Sequence, residues 1–162
     1  GAALKTGLDY SLKNGADFIV TFDSDGQHQP QDIKKLLHPL QEGQAEVALG
    51  SRFLSNESNT PFVRKMFLKG GAVIMNSMYH VNLTDSHNGL RAFNRDAALK
   101  LNLTQDRMEH ASEIIEEIGK HRLKYVEVPV TITYTDYSLQ HGQKTSNAFK
   151  IFMNMILKKI IK

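Results

Sequence analysis

Hydrophobic residues at the start of the chain fall at helical spacing. Leu4, Leu8 and Leu12 share one face, and Asn14-Gly15 supplies a C-terminal stop. Phe18 to Phe22 is a short, continuous apolar and β-branched run, which predicts a strand buried on both faces. Pro30 suits the first turn of a helix whose apolar face is Ile33, Leu36, Leu37 and Leu40, with Pro39 near its end. Residues 46–53, EVALGSRF, predict a second strand running into a turn, and 54–61, LSNESNTP, a polar loop. A long helical pattern covers 62–79, with Phe62, Met66, Val73 and Met78 among its apolar positions and Gly70-Gly71 weakening its middle.

The second half continues the alternation. TDSHNGLRAFNRDAALKL, 84–101, predicts a loop, a short strand and a helix. A further helix from about Glu109 to Arg122 carries Ile114, Ile115 and Ile118. YVEVPVTITY, 125–134, is the most β-branched strand in the chain, and a polar loop, 135–146, leads to a last helix. Strands alternating with helices predict an α/β fold around a largely parallel sheet. The pattern opens directly in a helix, without the strand that a βαβ unit would place first, as expected of a chain entered partway through a domain.

Length and composition narrow this only a little. A chain of 162 residues is about one domain, and 41% hydrophobic with 23% charged residues is ordinary for a globular protein. A net charge of +3 is too mild to argue for nucleic acid. The absence of Cys excludes disulfides and thiolate metal sites. No apolar run approaches the ~20 residues that span a bilayer, and no basic-then-apolar leader opens the chain. The expectation is a cytoplasmic protein, peripheral on the cytoplasmic face of the membrane where it meets one.

The candidate chemistry lies in FIVTFDSDGQHQP, 18–30, where the first predicted strand runs straight into two carboxylates. In extended backbone, residues two apart point the same way, so Asp23 and Asp25 can face one point beyond the strand. In open α/β sheets that edge is where ligands bind. Paired carboxylates repel, and a divalent cation shared with substrate phosphates, Mg²⁺ or Mn²⁺, is a natural reason to hold them together. Gln27 continues the spacing. An EF-hand fits poorly, because Thr21 and Asp32 would fall at its first and last ligand positions. An Asp-rich turn capping the next helix remains an alternative on spacing alone. A metal-dependent phosphatase would also want small or threonine-rich surroundings and a distant lysine, a set that finds no place here.

FDSDGQHQP, then GSRF, then DSHNGLRAF, then VEVPV closing on YTDYSLQHGQK, resemble in this order the family 2 glycosyltransferases. Within them the polyprenyl-phosphate mannosyl- or glucosyltransferase-like branch is most similar, over about residues 1–147. The resemblance implies a GT-A-type, Rossmann-like, mostly parallel sheet flanked by helices. It implies a UDP- or GDP-linked sugar donor, Mg²⁺ or Mn²⁺, inversion at the anomeric carbon, and a lipid-phosphate or saccharide acceptor. It also implies an N-terminal truncation, since such domains begin with a strand of the PAYNE kind and GAALKTG matches the helix after it.

By matching position, Asp23 and Asp25 would bind the metal and the donor's diphosphate, with Gln27 beside them. Arg52 and Arg64 become candidates for phosphate, a guanidinium gripping it bidentately. Asp85, Asn88, Gly89 and Arg91 match the segment near the acceptor, Asp85 as a catalytic carboxylate. In MEHASEIIEEIGKH, Glu113 fits the general base best, with Glu109 and His110 close by. An anionic phosphate acceptor would not need that base. Tyr137, His141 and Lys144 would contact the donor diphosphate.

One departure concerns the loop after VPV, where the polyprenyl-phosphate enzymes carry an arginine and a GxSK element. Here it reads TDYSLQHGQKT, which leaves a surface-polysaccharide glycosyltransferase with a saccharide acceptor as the alternative. A non-catalytic metal-binding fragment is the alternative from another class. AFKIFMNMILKKIIK, 148–162, predicts a basic amphipathic helix suited to an anionic membrane surface or to core packing.

Overall fold

The computed structural model describes residues 1–23, 25–104 and 110–134. Tyr137, His141, Lys144, Glu109 and the helix expected at 148–162 lie outside the described residues. The elements follow in the order α1 (Ala2–Lys13), β1 (Phe18–Thr21), α2 (Asp32–Gln41), β2 (Val47–Ser51), α3 (Phe62–Tyr79), β3 (Arg91–Asn94), α4 (Arg95–Lys100), α5 (His110–Lys120) and β4 (Tyr125–Pro129).

The four strands form one sheet in the order β1-β3-β2-β4. β3 pairs antiparallel with β1, Phe18 opposite Asn94, and with β2, Val47 opposite Phe93. β2 and β4 pair in parallel from Val47–Tyr125 to Ser51–Pro129. Three strands therefore run the same way, with β3 reversed among them. One edge of the sheet collects the carboxyl ends of β1, β2 and β4 together with the loop that enters β3.

The pleat divides the core into two layers, because neighbouring strand residues face opposite sides. Ile19, Val47, Leu49 and Phe93 meet Leu8 of α1, Met75 and Tyr79 of α3, and Ile114, Ile115 and Ile118 of α5. Ala48, Ala92, Val128 and Val130 meet Leu36 and Leu40 of α2. Small alanines at the centre of the second face fit α2's larger leucines against the sheet. α5 crosses α3 at Gly119, where a β-carbon would overlap the carbonyl oxygen of Tyr79.

Most expected elements are present near their expected limits, with three physical differences. Among the described residues β1 pairs on one side only, and Phe18 is partly exposed rather than buried on both faces. In α3, Ala72, Met75 and Tyr79 form the buried face, while Phe62, Met66 and Val73 point outward and Met78 is partly buried against the core. The polar 54–61 segment lies along 130–134 and bonds to it through side chains. Ser58 donates to the Val130 carbonyl and accepts from the Ile132 amide, and Asn59 exchanges two bonds with the Tyr134 backbone.

Candidate active site

β1 ends at Thr21, and Asp23 follows at the carboxyl edge of the sheet. Its carboxylate is exposed, yet it is closely seated. A β-carbon on Gly89 would overlap Asp23 Oδ2, so only glycine leaves room for the carboxylate there. The Thr21 hydroxyl donates to the Gly89 carbonyl at 2.7 Å, tying the end of β1 to the loop that enters β3. On its other side, Nε2 of the buried His28 stands 3.6 Å from Asp23 Oδ2. His28 is the largest influence holding the Asp23 carboxyl below its ordinary range. Burial opposes that shift, while Arg91 and His110 add to it. His28 Nδ1 is buried with no hydrogen-bond partner among the described residues.

Asp25 does not continue an extended strand. It sits in a turn where its Oδ1 accepts from the Gln27 amide, an Asx turn, so strand alternation does not describe the two aspartates. The Gln27 carbonyl accepts from the Thr133 amide, and an isolated bridge pairs His28 with Ile132. The aspartate turn is thereby fixed against the chain that follows β4.

Behind this edge is a buried polar cluster. Arg52 donates through Nε to Asp85 Oδ2, through Nη1 to the Tyr134 hydroxyl at 2.7 Å, and through Nη2 to the His87 carbonyl. Burial alone would lower the Arg52 pKa, but Asp85 and Tyr134 together raise it. Asp85 Oδ2 also accepts from the Arg52 amide and the Asn88 side chain. Glu127 of β4 accepts from the Thr84 and Asp85 amides and pins the start of this loop. Arg91 is fully enclosed and donates to the carbonyls of Asn88, Ser86 and Ala111. Burial brings its pKa down to about 10 against the opposing charges of Asp85 and Asp23.

The residues singled out in the sequence thus divide. Asp23, Gly89, Asn88, Asp85, Arg52 and Arg91 come together at one sheet edge, the last four as an internal scaffold beneath it. Arg64 lies at the rim, its guanidinium 5.0 Å above the centre of the Tyr134 ring. Glu113 Oε1 accepts from the Thr104 amide and hydroxyl, at 2.8 and 2.7 Å. On the same helix, His110 is near enough for its charge to act on Asp23.

His28, Glu127 and Tyr134 were not singled out by sequence reasoning. A polar Glu127 within an otherwise apolar strand was the available signal for one of them.

A divalent metal can be tested against these side chains. No group of three or more His, Asp or Glu arranged to hold an ion occurs among the described residues. Asp23 is ionised and solvent-facing, and Asp25 keeps one carboxylate oxygen outside its turn bond. Two hard oxygen donors with further positions left to phosphate and water suit Mg²⁺ or Mn²⁺ better than a protein-enclosed cation.

Comparison with known proteins agrees with this architecture. Residues 1–101 match the model of glycosyl transferase family 2. The chain is 39% identical, over 99% of its length, to an uncharacterised protein of Methanocaldococcus jannaschii, covering 68% of that protein. It is 37% identical over 99% of its length to the UDP-N-acetylglucosamine–dolichyl-phosphate N-acetylglucosaminyltransferase of Methanococcus voltae, covering 65% of that enzyme. It is 32% identical over 81% of its length to the undecaprenyl-phosphate mannosyltransferase of Micrococcus luteus, covering 55% of that enzyme. The chain therefore spans between about half and two thirds of these relatives. With the family model matching more than half of its residues, the chain belongs to glycosyl transferase family 2.

Proposed function

We propose that the parent protein moves a sugar from a nucleotide-diphosphate sugar to a polyprenyl phosphate, and that this chain carries the part of the site that meets the diphosphate. The observation that carries the reading is the seating of Asp23, an ionised and exposed carboxylate fitted against Gly89 at the edge where ligands of α/β sheets bind. The names of two relatives, which act on dolichyl and undecaprenyl phosphate, support the acceptor class.

Asp23 and Asp25 would hold Mg²⁺ or Mn²⁺, which when bound supplies Lewis-acid stabilisation of charge on the diphosphate. The chain's own contribution is positional. His28 and Gly89 set the Asp23 carboxylate, and the Arg52–Asp85 pair with Arg91 keeps the 84–91 loop rigid behind it. In the transfer, an acceptor oxygen bonds to the anomeric carbon as the carbon–oxygen bond to the diphosphate breaks, with inversion. A phosphate acceptor arrives as an anion and needs no base. Glu113 takes that part only for a hydroxyl acceptor. A saccharide acceptor is the second reading, favoured by the missing arginine in the loop after VPV.

Calorimetric titration of the chain with UDP and with GDP, each with and without Mn²⁺, beside Asp25→Ala, tests the assignment. Metal-dependent binding that disappears in the variant is the expected result and identifies the base. Metal-dependent binding of equal strength in Asp25→Ala removes the metal role from the DSD turn.

A further inference from the structure

Helix α3 carries two apolar faces, and its own domain uses only one. Ala72, Met75 and Tyr79 are buried on the sheet side. On the opposite side Phe62, Met66 and Val73 fall within about 40° of one another on the helical wheel. They are 75%, 62% and 67% exposed. Surface helices normally keep polar residues on that side. Val63, 62% exposed, widens the stripe at its first turn.

The charges around the stripe have one sign. Lys65 and Lys69 flank it on α3, and no Asp or Glu occurs in the sequence between Glu57 and Asp85. Lys69 stands at its edge, its ammonium 5.6 Å from the centre of the Phe53 ring. Long apolar stems with cationic tips beside aromatic and aliphatic residues match the boundary between acyl chains and anionic headgroups. A second copy of α3 on the same stripe would bring two lysines against two. The chain beyond residue 145 has only lysines as its charges, Lys150, Lys158, Lys159 and Lys162, and would bring the same repulsion.

α3 also adjoins the candidate site, through the face turned away from the stripe. Arg64, in the first turn of α3, covers the Tyr134 ring, and the Tyr134 hydroxyl accepts from Arg52, which holds Asp85. We propose that the outward stripe of α3, Phe62, Met66 and Val73 with Lys65 and Lys69, docks the domain on an anionic lipid bilayer. This rests on the lipid-phosphate reading, because such an acceptor resides in a bilayer. α3 lies in the surface plane, and no described helix is long and apolar enough to cross a bilayer.

The chain contains no tryptophan, so Phe62→Trp adds a single fluorescent reporter at an exposed position. Emission of this variant is measured with vesicles of phosphatidylcholine alone and of phosphatidylcholine mixed with phosphatidylglycerol. The expected result is solvent-like emission alone, a blue shift on the mixed vesicles only, and reversal by salt. Phe62→Ser/Met66→Ser/Val73→Ser should weaken sedimentation with mixed vesicles at least ~10-fold, from the apolar area removed. Its melting curve should match that of the parent chain.

Unchanged emission on both vesicles, or equal shifts on both, overturns the proposal. So does blue emission before vesicles are added, which means cover by the chain itself or, if it varies with protein concentration, by a second copy. UDP and GDP titration of the same variant reads the glycosyltransferase assignment separately. Nucleotide binding without insertion overturns the docking face alone, and insertion without nucleotide binding supports the docking face while removing the reading beneath it.

Discussion

The Asp23 carboxylate occupies the space that a side chain on Gly89 would fill. Two residues far apart in sequence are thereby matched in size, and the match defines where a charge stands at the sheet edge. The Gly89 backbone does not adopt the left-handed region, so its role is close approach rather than backbone freedom. Gly89→Ala should leave the melting curve nearly unchanged but push Asp23 aside. A displacement of about 1 Å at such a site costs on the order of 100-fold in turnover. The check is Mn²⁺-dependent nucleotide binding and turnover in the parent protein. Undiminished values in Gly89→Ala would remove Asp23 from the binding site.

The Arg52–Asp85 pair is buried and bonded on every side, so its members should behave as structure. Removing one partner of such a pair typically costs about 3–5 kcal/mol, because the other charge is left uncompensated. Asp85→Ala and Arg52→Ala should each lower the denaturant midpoint strongly, and the double variant should lose less than their sum. An Asp85→Asn chain as stable as the original but inactive would instead make Asp85 a reacting group.

Burial, followed by the charge of Arg91, lowers His87 from 6.5 to about 4, so the folded protein holds this imidazole neutral. Below pH 6.5 the unfolded chain takes up a proton that the folded chain refuses. Stability attached to His87 is therefore complete above that pH and declines toward pH 4, by at most ~3 kcal/mol. Solvent reaching the partly exposed ring keeps the loss below that bound. Denaturant titrations across this window should show a slope that His87→Gln flattens. An identical slope in the variant would assign the acid sensitivity to other groups.

Glu113 accepts two hydrogen bonds from Thr104, which Glu113→Gln can largely keep. In the parent protein this change should cost at least ~100-fold with a hydroxyl acceptor, as loss of a general base does. With a polyprenyl phosphate it should cost little. Equal, small losses with both acceptors would leave Glu113 as the anchor of the 101–104 segment.

Periodicity made most of the fold legible, since the helices other than α3 have one apolar stripe each and each strand one apolar run. It left α3 undecided, because two apolar stripes share eighteen residues and only packing into the core beside α5 settles which turns inward. It was silent on the direction of β3, since Arg91–Asn94 reads the same either way and its reversal depends on the loop that enters it. At the site, the aspartates were visible because charge after an apolar run is conspicuous. Their surroundings were not. His28, Glu127 and Tyr134 act on residues distant in sequence or inside a turn whose shape alternation does not describe. The tight fit of Asp23 on Gly89 joins positions that no local pattern connects.

The reversed β3 has a consequence for the order in which the protein acquires its properties. The sheet edge draws on residues near 23, 52, 89 and 133, brought together by the bonds Thr21–Gly89, Arg52–Tyr134 and Thr133–Gln27. None of these contacts closes within one helix or hairpin, so each must wait for loop closures that slow the folding of such topologies. A nascent or partly unfolded chain can hold its helices and still lack the site. Ligand capacity should therefore be the last property gained during synthesis and the first lost on mild denaturation, a sensitive gauge of whether the sheet is fully assembled.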